Sequence, residues 1–204
     1  MLWDSAMRMI NSEVRKKLIW QYGSHIPAGL VPLSRTVASN SSGVSFTSGI
    51  DSTYSAYVFK IYNFNPVTNG AELTFQGSID SGSNYNVEIT SLRVYAYSDE
   101  GDSATALGYD GTNDQANGTS FQSLSDNTGS GTDENSNGTL IIYNPADTTY
   151  VKHFVAQFTT ILSIAYQRAD ITSGYLNTAS AIDAFQIKAS TGNFDAIIAL
   201  YGVA

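Results

Sequence analysis

From Tyr57 to Ile61 the chain alternates: Tyr57, Phe59 and Ile61 fall on one side of an extended backbone, Val58 and Lys60 on the other. Side chains of a strand point to opposite faces with a period of two, and β-branched and aromatic residues suit such a pleated surface. The segment therefore predicts a strand packed on one face. Ser48-Gly49 and Asp51-Ser52 before it, and Asn65-Pro66 after it, are residue types that turn the chain. It carries no nucleophile, acid–base pair or set of metal ligands, and points toward a structural or binding protein.

The same grammar recurs. Leu73 and Phe75 alternate with Glu72, Thr74 and Gln76, and Leu92, Val94 and Ala96 alternate with Arg93, Tyr95 and Tyr97. Further runs cover residues 139–143, 151–158, 182–189 and 194–203, each bounded by Gly, Asn, Ser or Pro. About eight to ten short strands follow from these signals, and no helical stripe stands out after residue 22. The expected fold is all-β, an antiparallel β-sandwich of jelly-roll type, with an N-terminal amphipathic helix.

That helix rests on Trp3, Met7, Ile10, Val14 and Leu18, whose spacings of 4, 3, 4 and 4 put them on one face. Gly23 and Pro27 end it. A helix of this length is marginal alone in water, so its stripe needs a partner, either the chain's own body or another subunit. Residues 1–22 hold Arg8, Arg15, Lys16 and Lys17, but Asp4 and Glu13 dilute that charge for a membrane surface. A sandwich has little need of a detachable helix in its own core, and docking is the reading carried forward. The expected organisation is a helical arm over 1–22, a connector over 23–32, and a sandwich over 33–204 with a long polar loop at 98–138.

Cysteine is absent, which excludes disulfides and thiolate metal sites. With 204 residues, 42% of them hydrophobic, the chain can bury one core. Charged residues make up only 14%, against about 25% in average domains, and Gly, Ser, Thr and Asn take their place. Residues 23–204 hold six basic against sixteen acidic residues, a net of −10, and none of the basic ones lies between Arg93 and Lys152. Nucleic-acid binding needs clustered Lys and Arg and is not expected. No signal peptide or membrane-spanning stretch is expected either.

The segment 98–138 has eight acidic residues and few apolar anchors: Leu107, Tyr109, Phe121 and Leu124. A loop of such length is expected to be a contact surface, with Tyr109 and Phe121 as candidate ligand or receptor contacts, for example by stacking on a host-surface glycan. Asp126, Thr128, Ser130 and Gly131 approach a calcium-loop pattern, and Asp110, Thr112 and Asp114 resemble its start. The twelfth position, which should be Glu, is Asn137 or Phe121, so no metal or other cofactor is assigned and a solvated loop is expected. His25 and His153 are isolated, and the pairs Asp99/Glu100 and Asp133/Glu134 lie in polar stretches where solvent leaves carboxylates unactivated. No catalytic residue is assigned.

An ordered set of segments carries a resemblance: 45–54, 65–66 leading into 71–76, 81–85, 104–108, 144–145 followed by 150–154, 174–178, and the ending 194–202. In this order they resemble a family of virion-associated proteins of marine tailed bacteriophages, over about residues 33–204. The resemblance implies a β-sandwich on the particle surface, as a tail appendage or head decoration, made in the bacterial host cytoplasm. It supplies no catalytic residues. The expected function is a non-enzymatic virion component attached to other virion proteins through Trp3, Met7, Ile10, Val14 and Leu18, as a homo-oligomer with a trimer favoured. The alternative is a carbohydrate-recognising receptor-binding tip.

Overall fold

The structure, a computed structural model, describes residues 29–101 and 103–204. All regular structure there is strand. The strands are β1 (Leu30–Ser41), β2 (Val44–Phe46), β3 (Ala56–Pro66), β4 (Leu73–Ser78), β5 (Ile89–Asp99) and β6 (Thr105–Tyr109). They continue with β7 (Gln122–Ser123), β8 (Ser136–Tyr143), β9 (Lys152–Ile161), β10 (Tyr166–Leu176), β11 (Ala184–Ala189) and β12 (Phe194–Val203). The expected helix, with Trp3, Met7, Ile10, Val14 and Leu18, lies outside the described residues. The expected connector ends earlier than its sequence suggests: Leu30–Pro32 already belong to β1, with Leu30 opposite Val203 and Pro32 opposite Tyr201.

Two sheets form. One has eight strands in the order β1-β12-β3-β8-β9-β10-β5-β6, the other four in the order β2-β11-β4-β7, and every pairing is antiparallel. The chain passes repeatedly between the sheets: β2, β4, β7 and β11 of the smaller sheet are each flanked in sequence by strands of the larger.

The alternation read at Tyr57, Phe59 and Ile61 points these three into one shared core, where Phe59 is fully buried. Phe59 links the sheets: its ring centroid lies 5.1 Å from Phe46 of β2 and 5.7 Å from Phe185 of β11, both edge-on. Phe75 of β4 meets Phe154 of β9 at 5.0 Å in the same manner. Edge-to-face pairs at such distances add about 0.5–1.5 kcal/mol beyond area burial. Gly138 of β8 is required by this packing, because a Cβ there would come within 2.5 Å of the Phe158 ring.

The other side of the eight-stranded sheet points away from the core. One register row crosses all eight strands as Arg35, Ala199, Lys60, Thr139, Gln157, Ile171, Val94 and Tyr109. On β5 the alternation holds with its polarity inverted: Arg93 is fully buried on the inner face, while Leu92 is exposed on the outer one. Charge replaces apolar packing at that end of the core.

The segment 98–138 is not the solvated loop its composition suggests. It contributes β6, β7 and the start of β8, and Gln122, Ser123, Leu124, Ser125 and Thr128 are buried. Thr128 bridges to both Ala71 and Leu162, and the Leu124 amide donates to the Leu73 carbonyl at 2.8 Å. Many of its polar groups are satisfied by other protein groups instead of by water, although Gln115 Oε1 is buried without a partner.

Candidate functional site

The densest chemistry sits where β5 and β10 run side by side. Arg93 faces inward from β5, and Arg168 and Asp170 face inward from β10, two residues apart and therefore on one face. Asp170 Oδ1 accepts from Arg93 Nε at 3.1 Å and from Arg168 Nε at 2.8 Å. Arg168 then reaches two carboxylates of the long segment: Nη2 donates to Asp110 Oδ2 at 2.9 Å, and Nη1 lies 2.6 Å from Asp126 Oδ2. Arg93 Nη1 donates to Ser123 Oγ at 2.9 Å. The Arg168 guanidinium lies 4.1 Å from the centre of the Tyr95 ring, a cation–π contact.

Two arginines and three aspartates thus close on one another, and the geometry explains why the segment is held down. Asp110 follows β6 and Asp126 follows β7, so Arg168 clamps both ends of the stretch between them. Buried charges must be paired and hydrogen-bonded to be tolerated. The pairing is incomplete, since Asp170 Oδ2 and Thr172 Oγ1 are buried with no hydrogen-bond partner. Burial raises the Asp170 carboxyl above its ordinary value, against the pull of Arg93 and Arg168. Burial also acts to raise Asp110, but a hydrogen bond from Asn113 and the two arginines outweigh it and hold Asp110 below the usual range. Glu72 is raised by burial, with Asp126 adding to the effect.

Other carboxylates are tuned by turns. Asp80 is lowered to about 2 by hydrogen bonds from Asn84 and Ser78. Asp99 is lowered by Ser103 and Ala104, and Asp147 by the backbone amides of Tyr150 and Thr149. A carboxyl whose folded value is depressed contributes stability above its unfolded value, and that contribution is lost as pH falls through the folded one. Asp170 and Glu72 act in the opposite sense, destabilising at neutral pH and less so as they protonate. Thermal unfolding followed by circular dichroism at stepped pH should show a midpoint that holds from pH 7 to about pH 5 and drops between about pH 4 and pH 2. A midpoint that is flat across the lower window would contradict this assignment.

The stretches that approach a calcium loop have their carboxylates engaged elsewhere. Asp110 and Asp126 serve Arg168, and Asp114 Oδ2 accepts the hydroxyl of Tyr109. Among the described residues no group of three or more His, Asp or Glu is placed to hold a metal ion. Tyr109 stands on the outer face of β6, 58% exposed. Phe121 is half-buried against the smaller sheet, with Lys188 Nζ of β11 3.9 Å from its ring centre and Tyr85 at 6.5 Å. The two candidate contacts therefore belong to different surfaces, and a face of the Phe121 ring is already occupied. His153 is exposed on the outer face, edge-on to Tyr175 at 5.9 Å; His25 lies outside the described residues.

The outer face of the large sheet offers shallow grooves. One, of about 420 Å³, is lined by Lys60, Tyr62, Asn137, Thr139 and Gln157. Another, of about 330 Å³, lies among Thr90, Leu92, His153, Ser173 and Tyr175. Neither of these brings a carboxylate to a histidine or a hydroxyl nucleophile. A third, of about 520 Å³, has Asp147, Thr149 and His153 in one lining, with Tyr143 beside them. No protein-family model, curated protein or solved structure matches this chain.

The charge cluster was not found from the sequence. Its signal was present as Arg168-Ala169-Asp170, opposite charges on one face of a strand, but an inward ion pair looks in sequence like an ordinary solvated stretch.

Proposed function

We propose that this chain is a non-enzymatic structural component of a tailed-bacteriophage virion, a surface appendage or decoration protein attached through its N-terminal segment. The fold reading behind it is a jelly-roll-like β-sandwich. Support comes from the strand orders β2-β11-β4-β7 and β3-β8-β9-β10-β5-β6 in two antiparallel sheets with one common core, and from the way the chain shuttles between them. The virion reading comes from the ordered segments that resemble phage virion proteins.

One observation favours assembly or binding over catalysis. The side chains with the strongest chemistry, Arg93, Arg168, Asp110, Asp126 and Asp170, are spent on one another in a structural clasp. Exposed surfaces carry tyrosine, threonine, asparagine and glutamine instead, residues suited to recognition.

The stripe Trp3, Met7, Ile10, Val14 and Leu18 is the docking element in this reading, toward other virion proteins and in a homo-oligomer, for which a trimer is favoured. Among the described residues the core is drawn from 38–200, and deleting residues 1–22 is expected to leave the body folded. It should release the protein from particles, read as copies per purified virion by quantitative mass spectrometry. Unchanged occupancy after the deletion would sink the attachment claim.

The exposed ring of Tyr109 favours one second reading, a carbohydrate-recognising receptor-binding tip. Glycan-array binding that disappears in Tyr109→Ala would support it.

A further inference from the structure

We propose that the outer face of the eight-stranded sheet is a self-association surface, and that it takes the same face of a second copy of this chain. This goes beyond the virion reading and does not depend on it.

An antiparallel sheet with one solvated face ordinarily turns its polar and charged residues outward. Here most outward strand positions are apolar or neutral, with Arg35, Lys60 and Asp195 the charged ones. The row next to the one already described runs Tyr201, Val58, Ile141, Val155, Ser173 and Leu92 across six consecutive strands. Six exposed large hydrophobics, half of those among the described residues, stand on this face: Leu92, Leu107, Tyr109 and Ile171 toward the β6 edge, Tyr62 and Tyr143 nearer the middle. Contiguous exposed apolar surface of this kind marks an interaction site. Interface cores are likewise poor in charge and rich in aromatic residues.

Charge selects the occupant. Residues 23–204 carry a net of −10, so two copies repel each other over most approaches. Among the carboxylates of the described strands, only Asp195 points to this face, at the start of β12, where it accepts the Asn40 amide at 2.6 Å. Lys60 and Arg35 are the other charges there. Asp114, which accepts the Tyr109 hydroxyl, and Asp147, in one groove with Tyr143 and His153, lie at its margins. Face-to-face is thus the approach on which the strands of an acidic body oppose few carboxylates of their own copy. A two-fold arrangement makes the same patch serve both partners.

The dimensions suit the task. Eight strands about 4.8 Å apart span about 34 Å, and the 5 residues of β6, the shortest of them, cover about 17 Å. The resulting footprint of roughly 600 Å² lies somewhat below the about 800 Å² per partner of a standard stable interface, within its spread. The row from Ile171 through Val94 to Tyr109 supplies an apolar centre at one end.

The test is sedimentation velocity on the full chain over a wide concentration range, comparing wild type with Ile171→Glu, Val67→Glu and Leu18→Glu. Ile171 and Val67 are both exposed, but Val67 lies in the loop after β3, outside the strands that make this face. The expected result is a concentration-dependent dimer or larger species that Ile171→Glu weakens by roughly 30-fold or more, the ratio typical of an interface hot spot. Val67→Glu should leave association unchanged, and thermal midpoints should agree across the set. Three outcomes overturn the proposal. A full chain that is monomeric throughout leaves the face to another molecule, a glycan included. Association indifferent to Ile171→Glu places the interface elsewhere. Association lost in Leu18→Glu but kept in Ile171→Glu assigns it to the N-terminal stripe.

Discussion

Replacing Asp170 with alanine is expected to destabilise the protein by about 3–5 kcal/mol, the range for removing one partner of a buried ion pair. The carboxylate is fully buried between Arg93 and Arg168, and its loss leaves the Arg93 guanidinium in the core with only Asp110, 3.8 Å from Nη1, as a charge partner. Arg168 keeps Asp110 and Asp126, so the loss falls mainly on Arg93. The raised Asp170 carboxyl shows that burial already costs something in the native state. Replacing both members of the pair, Arg93→Met with Asp170→Leu, should therefore be milder than Asp170→Ala alone. Equilibrium urea unfolding of the three proteins decides the matter: a cost below about 1 kcal/mol for Asp170→Ala would mean that the clasp is not energetically coupled. Hydrogen exchange should also quicken in the segment between Asp110 and Asp126, because Arg168 is held in place by Asp170.

Phe59→Ala is the second large effect, expected at about 3–5 kcal/mol. Phe59 has no exposed surface and stands between Phe46 and Phe185 of the opposing sheet. Two backbone layers cannot close over the space its ring leaves, so the cavity term adds to the lost transfer energy. Set against typical totals of about 5–15 kcal/mol, either substitution takes a large share, and the two together could leave no folded state. Denaturant midpoints should shift with little change in slope. A Phe59→Ala protein with near wild-type midpoint would show that the sheets do not depend on this contact.

The sequence patterns and the strands agree where apolar residues face the core, and diverge where something else does. β12 is legible from end to end because Phe194, Ala196, Ile198 and Leu200 alternate inward without interruption. β3 begins one residue before its alternating run and extends past it, because Asn63 takes a left-handed φ of 53° at a register shift and returns Phe64 to the core. β10 has little apolar signature, since between Tyr166 and Leu176 its inward positions are Arg168, Asp170, Thr172 and Gly174. β1 carries a proline, an arginine and several serines, and is a strand because β12 lends it a full ladder. The long acidic segment was misjudged for a related reason: its composition suits water, but Arg168 draws two of its carboxylates inward. At the candidate site, Tyr109 was legible as an exposed aromatic; the partners that cover Phe121, Tyr85 and Lys188, come from distant parts of the chain.

β1 and β12 run antiparallel at one edge of the large sheet, and the Ala204 amide donates to the Gly29 carbonyl at 3.2 Å. The point where the first twenty-eight residues join the body and the point where the last strand finishes are therefore the same corner. Anything fused after Ala204 leaves the body at the corner where residues 1–28 enter it. A donor and an acceptor dye placed at Gly29 and Ala204 would sit side by side in the folded body and separate when β1 and β12 part, so the pair would report on that edge of the sheet.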